Sequence, residues 1–220
     1  MDEMDKMVNT NKQTSITYGE TKQASTMLQV NRKLSQNGRN VTLRGDIGYN
    51  DNKSDGLSLQ DVHLYQVMNY LNTGDSLYQV NRYNLMPTNS WNYALQATYS
   101  EPLARKLYLQ FSYKFSYSMS KSDRSTYDFS DIAAGTFDNV TPHYRSWNSY
   151  LSLLDNPLDY YLDDDLSRHS DYRTYTHDFQ VMIRLVRDKY RLNAGVMIQP
   201  QTSRYKQDYL GQHTDTTRHV

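Results

Sequence analysis

Cysteine is absent, so disulfides and thiolate metal sites are excluded. No apolar run approaches the roughly 18 residues that a transmembrane helix needs, so that anchor is excluded as well. Charge of one sign is also missing: 24 basic residues balance 24 acidic ones, which leaves no electrostatic footprint for nucleic acid. The opening Met1-Asp2-Glu3-Met4-Asp5-Lys6-Met7 lacks the basic and apolar regions of a signal peptide. Either the protein stays in the cytoplasm or this is part of a longer chain whose export signal is missing, and the strand pattern favours the second. Proline and glycine are few and apolar content is low, yet there are 21 tyrosines. Tyrosine gathers where an apolar body and a polar tip are both wanted, as in the girdles of membrane barrels, and it is also a good strand former in its own right.

What the sequence does contain is alternation. Leu107, Leu109, Phe111, Tyr113, Phe115, Tyr117 and Met119 alternate without error with Tyr108, Gln110, Ser112, Lys114, Ser116 and Ser118. At about 3.4 Å per residue this strand runs roughly 44 Å, and at a tilt of about 45° it rises roughly 31 Å, the thickness of a bilayer's hydrocarbon. Soluble strands usually stop at about five or six residues. A mean hydropathy of −0.85 does not oppose a membrane barrel, because such strands turn apolar groups outward only at every second position.

The same pattern recurs on either side. Leu28, Val30 and Leu34 lead through Gln36-Asn37-Gly38 into Val41, Leu43, Ile47 and Tyr49, which reads as a hairpin. Trp91, Tyr93, Leu95, Ala97 and Tyr99 form a strand joined by residues 101–105 to the one at 107–119. Tyr175, Phe179, Val181, Ile183 and Leu185 turn at Arg187-Asp188-Lys189 into Tyr190, Leu192, Ala194, Val196 and Ile198. The expected fold is all-β: an antiparallel meander of about six long strands over residues 23–200, forming part of a large transmembrane β-barrel. Residues 1–22 read as a polar lead-in and 201–220 as a truncated extension, with His213 to Val220 closing no strand. Short turns on one side and long loops at about 50–90 and 120–173 on the other match the periplasmic and extracellular ends of outer-membrane barrels. Extended segments at 57–70 and 76–83 predict a hairpin above the membrane, and Leu158, Leu162 and Leu166 predict one or two helical turns. Six strands cannot close a membrane barrel, so the chain reads as a piece of one.

The residues Tyr93 to Leu103, Leu109 to Tyr113 and Ser120 to Phe129 resemble the barrel of TonB-dependent outer-membrane receptors, in the outer-membrane β-barrel family with long Tyr-rich strands. The similarity runs from about Thr21 to Arg218. It implies a parent of roughly twenty-two strands in the cell outer membrane, taking up a nutrient with energy relayed by TonB through a plug. The implied partners are outer-membrane lipid, the missing plug and remaining strands, and TonB. The chain departs from the family in showing no plug, no TonB-contacting segment and no closing aromatic residue, so no functional residue transfers to a numbered position. The alternatives are a passive porin or adhesin barrel and a soluble secreted β-sandwich that binds carbohydrate.

No catalytic, cofactor-binding or metal residue is assigned, no cofactor is expected, and the chain is not read as an enzyme. Asp163-Asp164-Asp165 offers hard oxygen ligands for calcium, against the plainer reading of a solvated acidic loop. His143, His169, His177 and His213 are scattered without metal or catalytic spacing and read as surface or girdle residues. Arg44, Asp46, Lys114, Asp178 and Arg184 fall at inward positions, as do Ser112 and Gln180, where charges can pair with one another or with a plug. Trp91, Tyr117 and Tyr175 mark one girdle, and Tyr99, Leu107 and Tyr190 the other. Arg32 is the outward misfit, with a guanidinium that can snorkel to headgroups.

Overall fold

The structure is a computed structural model and describes residues 9–69, 72–187 and 189–220. One antiparallel sheet of nine strands holds β1 (Asn9–Lys33), β2 (Asn40–Asn69), β3 (Asn72–Gln79), β4 (Arg82–Ala104), β5 (Leu107–Asp128), β6 (Leu162–Val186), β7 (Arg191–Ile198), β8 (Gln201–Tyr209) and β9 (Gln212–His219). The order across the sheet is β1, β2, β4, β5, β6, β8, β9, with β3 on the far end of β2 and β7 on the near end of β6. The all-β meander expected from alternation is therefore the observed fold. Among the described residues no helix is long and apolar enough to cross a membrane, and no second sheet covers either face.

Registers account for the apparent excess of strands. Thr176 pairs with Gln201 and Phe179 with Ile198 in one unbroken register, so β7 and β8 are a single line interrupted at Gln199-Pro200. The His177 N–H still donates to the Pro200 carbonyl at 3.0 Å. Proline has no N–H of its own, and it stands where pairing with β9 begins.

Three short turns lie at one end, called lower here. Gly38 takes φ of +98° in the first, as the Asn37-Gly38 pair predicts. In the third, the Arg187 N–H donates to the Tyr190 carbonyl, while Asp188 lies outside the described residues.

The strands run further upward than their apolar residues indicate. β1 begins at Asn9 rather than after a polar lead-in at 1–22, β2 continues to Asn69, and β5 continues to Asp128. The supposed loop at 50–90 is strand nearly throughout, with β2 and β3 forming the expected hairpin. The second loop shrinks from 120–173 to 129–161. Residues 201–220 form β8 and β9, turning through Leu210 and Gly211 at φ of +53° and +66°. Such ladders need no greasy side chains, because Thr, Asn and opposite charges also pair across strands. That is why apolar alternation misses them.

Loop 129–161 builds the buried core. Phe129 is fully enclosed and Leu57 is 1% exposed, packed with Tyr83, Tyr127, Ile132 and Tyr150. One helical turn, α1 (Asn148–Leu151), and a 3-10 turn at Leu158–Tyr161 shape this cap. Helical spacing therefore holds only at Leu158, since Leu162 and Leu166 belong to β6. Asn81, 3% exposed, ties the cap to the sheet: its Oδ1 accepts from the Gln60 N–H and its carbonyl from the Phe129 N–H. Its own N–H donates to the Ser130 hydroxyl and its amide to Gln79.

An apolar band, a polar wall and a charged border

Period-two geometry sorts the side chains onto two faces, and cross-strand registers join them into rows. Val41, Tyr99, Phe111, Val181 and Val196 form one row, and Val30, Leu43, Ala97, Tyr113, Phe179 and Ile198 the next. Phe111, Tyr113, Phe179 and Val181 thus share one face, as expected, and all are exposed. Leu28 at 72% and Leu95 at 63% show how little of this face the protein covers itself. A depression of about 430 Å³ on it is lined by Val41, Tyr99, Phe111, Tyr113 and Phe179, among others.

The band slants across the rows. Arg32 on β1 stands in the row of Phe111, while His219 on β9 stands in the row of Tyr93 and Tyr175. The apolar zone therefore begins and ends higher on β1 than on β7. Arg32 lies just past the lower border, which resolves the misfit.

Aromatic rings edge the band. At the upper border Trp91 meets Tyr49 at 4.5 Å, Tyr117 meets Tyr93 at 4.7 Å, and Tyr175 meets Tyr117 at 4.9 Å. Tyr49 and Tyr93 join the three girdle residues expected there, a register that only strand pairing reveals. The lower border is thinner: Tyr99 donates to Glu101, which Arg39 also holds, while Leu107 opens β5 and Tyr190 lies in the turn before β7. His177 lies inside the band, beside Phe115, with Nδ1 2.9 Å from the Tyr113 hydroxyl.

The opposite face is mainly a polar wall of Ser, Thr, Asn and Gln, interrupted by Met27, Ala94, Met182 and Met197. Gln96 donates to Ser112 at 3.1 Å, and Ser112 meets Thr98 at 3.1 Å. At mid-height four of the expected inward charges come together. Arg44 grips the Asp46 carboxylate at 2.8 Å, and Lys114 stands opposite Asp178, whose Oδ1 is enclosed without a hydrogen-bond partner. Ser112 and Gln180 are paired in the row below. Arg184 is not part of this group; it sits at the lower end opposite Tyr108.

Above the band, on the same face, charges replace apolar groups. Ion pairs join Lys22 to Glu20 at 3.2 Å, Lys121 to Asp123 at 3.7 Å, Arg173 to Asp171 at 2.6 Å and Arg204 to Asp215 at 2.7 Å. The acidic run at 163–165 lines an open depression with Asp128, Asp131 and Asp155, but Asp163 Oδ1 accepts the Leu166 N–H at 3.0 Å, and no group of acidic or histidine side chains among the described residues is placed to hold a metal. His169 and His213 pair separately with Asp123 and Asp208, and the His143 carbonyl accepts from Tyr18. Higher still, burial pushes the Tyr83 phenol well above its ordinary range, helped by the nearby Asp55 and Tyr127. Burial raises Tyr127 and Tyr150 in the same way. A polar cavity of about 140 Å³ between cap and sheet is lined by Lys12, Asp61, Gln79, Asn139 and Tyr150, among others.

No family model matches the sequence, and no curated protein does. Among solved structures, a chain described as "Pore forming protein" is 10% identical over 93% of this chain and 96% of its own, with a TM-score of 0.14, a likeness too slight to carry any argument.

Proposed function

We propose that the sheet is an arc of an outer-membrane β-barrel whose polar wall lines a solute path, within a nutrient receptor of the TonB-dependent kind. The observation that carries the barrel reading is the uncovered apolar band, edged by aromatic rings, set against an opposite face that is mainly polar. In water that band is costly, since roughly 25 cal/mol per Å² of apolar surface stays wet. In lipid it becomes the stabilising surface. The free edge of β1 and the upper, β9 side of the sheet would then pair with further strands, because an unpaired backbone group in hydrocarbon costs several kcal/mol.

The test uses the whole protein in phosphatidylcholine vesicles with Trp147→Phe, so that Trp91 at the band's upper edge is the remaining tryptophan. Bromine near the headgroup end of the acyl chain should quench it strongly, and bromine near the bilayer centre weakly. Absence of quenching at every depth would defeat the reading. The receptor part is tested by nutrient uptake in cells lacking TonB: uptake that persists would assign the wall to a passive pore.

A further inference from the structure

A formal net charge of zero conceals a division of charge between the two faces of the sheet. On the polar wall Arg44 is paired with Asp46, and Lys114 stands directly opposite Asp178. Register turns Lys33, Arg124, Arg168, Arg184, Arg191 and Arg218 to the same wall. None of these is in an ion pair among the described residues. Up to the register shift that follows Arg124, Asp46 and Asp178 are the acids of the wall. The outward face is arranged the other way, since Lys22, Lys121, Arg173 and Arg204 each stand beside an acid. Cations are thus neutralised where they face outward and left bare where they face the wall.

Two places show the consequence. Arg124 of β5 and Arg168 of β6 are direct cross-strand partners, a position in which like charges oppose pairing. Their hydrogen bonds go to neutral groups: Arg124 donates to the Leu166 carbonyl at 2.8 Å, and Arg168 to the Tyr205 hydroxyl at 2.9 Å and to Gln207 Oε1 at 3.0 Å. Arg124 Nε is enclosed without a hydrogen-bond partner. At the lower end Arg184 and Lys106 line a depression of about 360 Å³ with the hydrogen-bonding side chains of Asn40, Ser100, Tyr108 and Gln110, among others. Arg218, in the row of Ser118 and Thr174, stands between the two.

Resting on the barrel reading above, we propose that the solute taken along this wall is an organic anion bearing phosphate or carboxylate groups, met first by Arg124 and Arg168 and released past Arg184. Guanidinium groups hold such oxygens through paired, charge-assisted hydrogen bonds. An anion lying between Arg124 and Arg168 also removes the repulsion that the empty pair carries. Within a lumen walled by low-dielectric lipid, bare cations focus their field along the path, and rings of Arg and Lys are how pores favour anions. A neutral sugar would use the hydroxyls and amides of the wall and leave its cations unmatched. A cationic solute would be repelled by them.

The experiment folds the whole protein into phosphatidylcholine vesicles and follows the anisotropy of a pyrene trisulfonate dye, a rigid trianion, with citrate, pyrophosphate, trehalose and spermidine as competitors. The wall variant carries Arg124→Gln, Arg168→Gln and Arg184→Gln. A control carries Lys121→Gln, Arg173→Gln and Arg204→Gln on the outward face and so removes the same charge. Heat-modifiable mobility checks that each is folded. The parent should bind the dye, and citrate and pyrophosphate should displace it while trehalose and spermidine do not. The wall variant should lose about tenfold or more in affinity, as loss of charge-assisted hydrogen bonds implies, with the control unchanged. An equal loss in the control would reduce the effect to overall charge, and displacement by trehalose would make the wall a sugar path. A parent that binds no anion would give the bare cations to acidic side chains of a protein insert. Each of these three results overturns the proposal. Should the wall variant not fold, Arg168→Gln and Arg184→Gln serve singly, since both side chains are exposed, and each is expected to weaken binding. A Trp91 unquenched by brominated lipid would instead remove the barrel reading itself, so the two failures remain distinct.

Discussion

At the scale of single residues, face assignment decides the outcome of substitution. Phe111 and Ser112 are adjacent in sequence and lie on opposite faces of β5. On the membrane reading proposed above, Phe111→Arg should hinder stable insertion, since a charge on the lipid side costs up to about 2 to 4 kcal/mol, most at mid-depth, whereas Ser112→Arg should be tolerated by a polar wall. The same contrast is expected between Ile183 and Gln180 on β6. Heat-modifiable mobility reads both, and equal sensitivity of the two faces would show them to be misassigned. Asn81 is a different case, because its hydrogen bonds join β2, β3 and the cap within an enclosed site. Asn81→Leu should cost about 1 to 3 kcal/mol for each buried group left unpaired and open 129–161 to protease. Its role was not legible in sequence, where it is one more polar residue in a supposed loop. Phe111, by contrast, was placed by alternation alone.

At the scale of elements, what was legible is what water avoidance writes into a chain. The apolar halves of β2, β4, β5 and β6 announced themselves, and so did the Asn37-Gly38 turn. The upper halves did not, because Thr, Asn and paired charges leave no hydropathy signal although the backbone ladder is just as regular. β8 and β9 were hidden for that reason, and by a turn whose Leu210 takes a left-handed φ that its identity does not suggest. Where β6 and β7 meet, Gly195 lies so close to its neighbour that an added Cβ would stand 2.5 Å from the Val181 carbonyl oxygen. Gly195→Val should therefore pry β7 from β6, seen as faster amide exchange at 191–198 with β8 unaffected.

The cap answers to pH. The phenols of Tyr83, Tyr127 and Tyr150 have folded values raised by burial, so the folded state holds their protons more tightly than the unfolded chain does. Their contribution is complete below the unfolded phenol value of about 10 and is lost as pH rises through the folded values. Protease cleavage within 129–161 should accordingly appear only at strongly alkaline pH, accompanied by phenolate absorbance. Cleavage that begins near neutrality would show the cap to be held by something else.

At the scale of the whole molecule, the slanting band and the open sides of the sheet belong together. A free β1 edge and a broad apolar face both seek other chains, so this chain made without detergent should sediment as aggregate. A monodisperse monomer with a cooperative melt in plain buffer would mean that the band is covered by the protein itself. The position of the cap has a further consequence. Leu57, Tyr83 and Tyr127, on which it packs, share the face of the apolar band rather than that of the polar wall. In a closed cylinder the cap would therefore hang outside the rim, leaving the mouth along this arc unobstructed. It would overhang the membrane surface like a fender, with Tyr144 exposed beside Tyr18 of β1. Lateral crowding would then be limited by that overhang rather than by the girth of the barrel, and the spacing between neighbouring molecules in the plane of the membrane would be set by a loop that touches neither the solute nor the hydrocarbon.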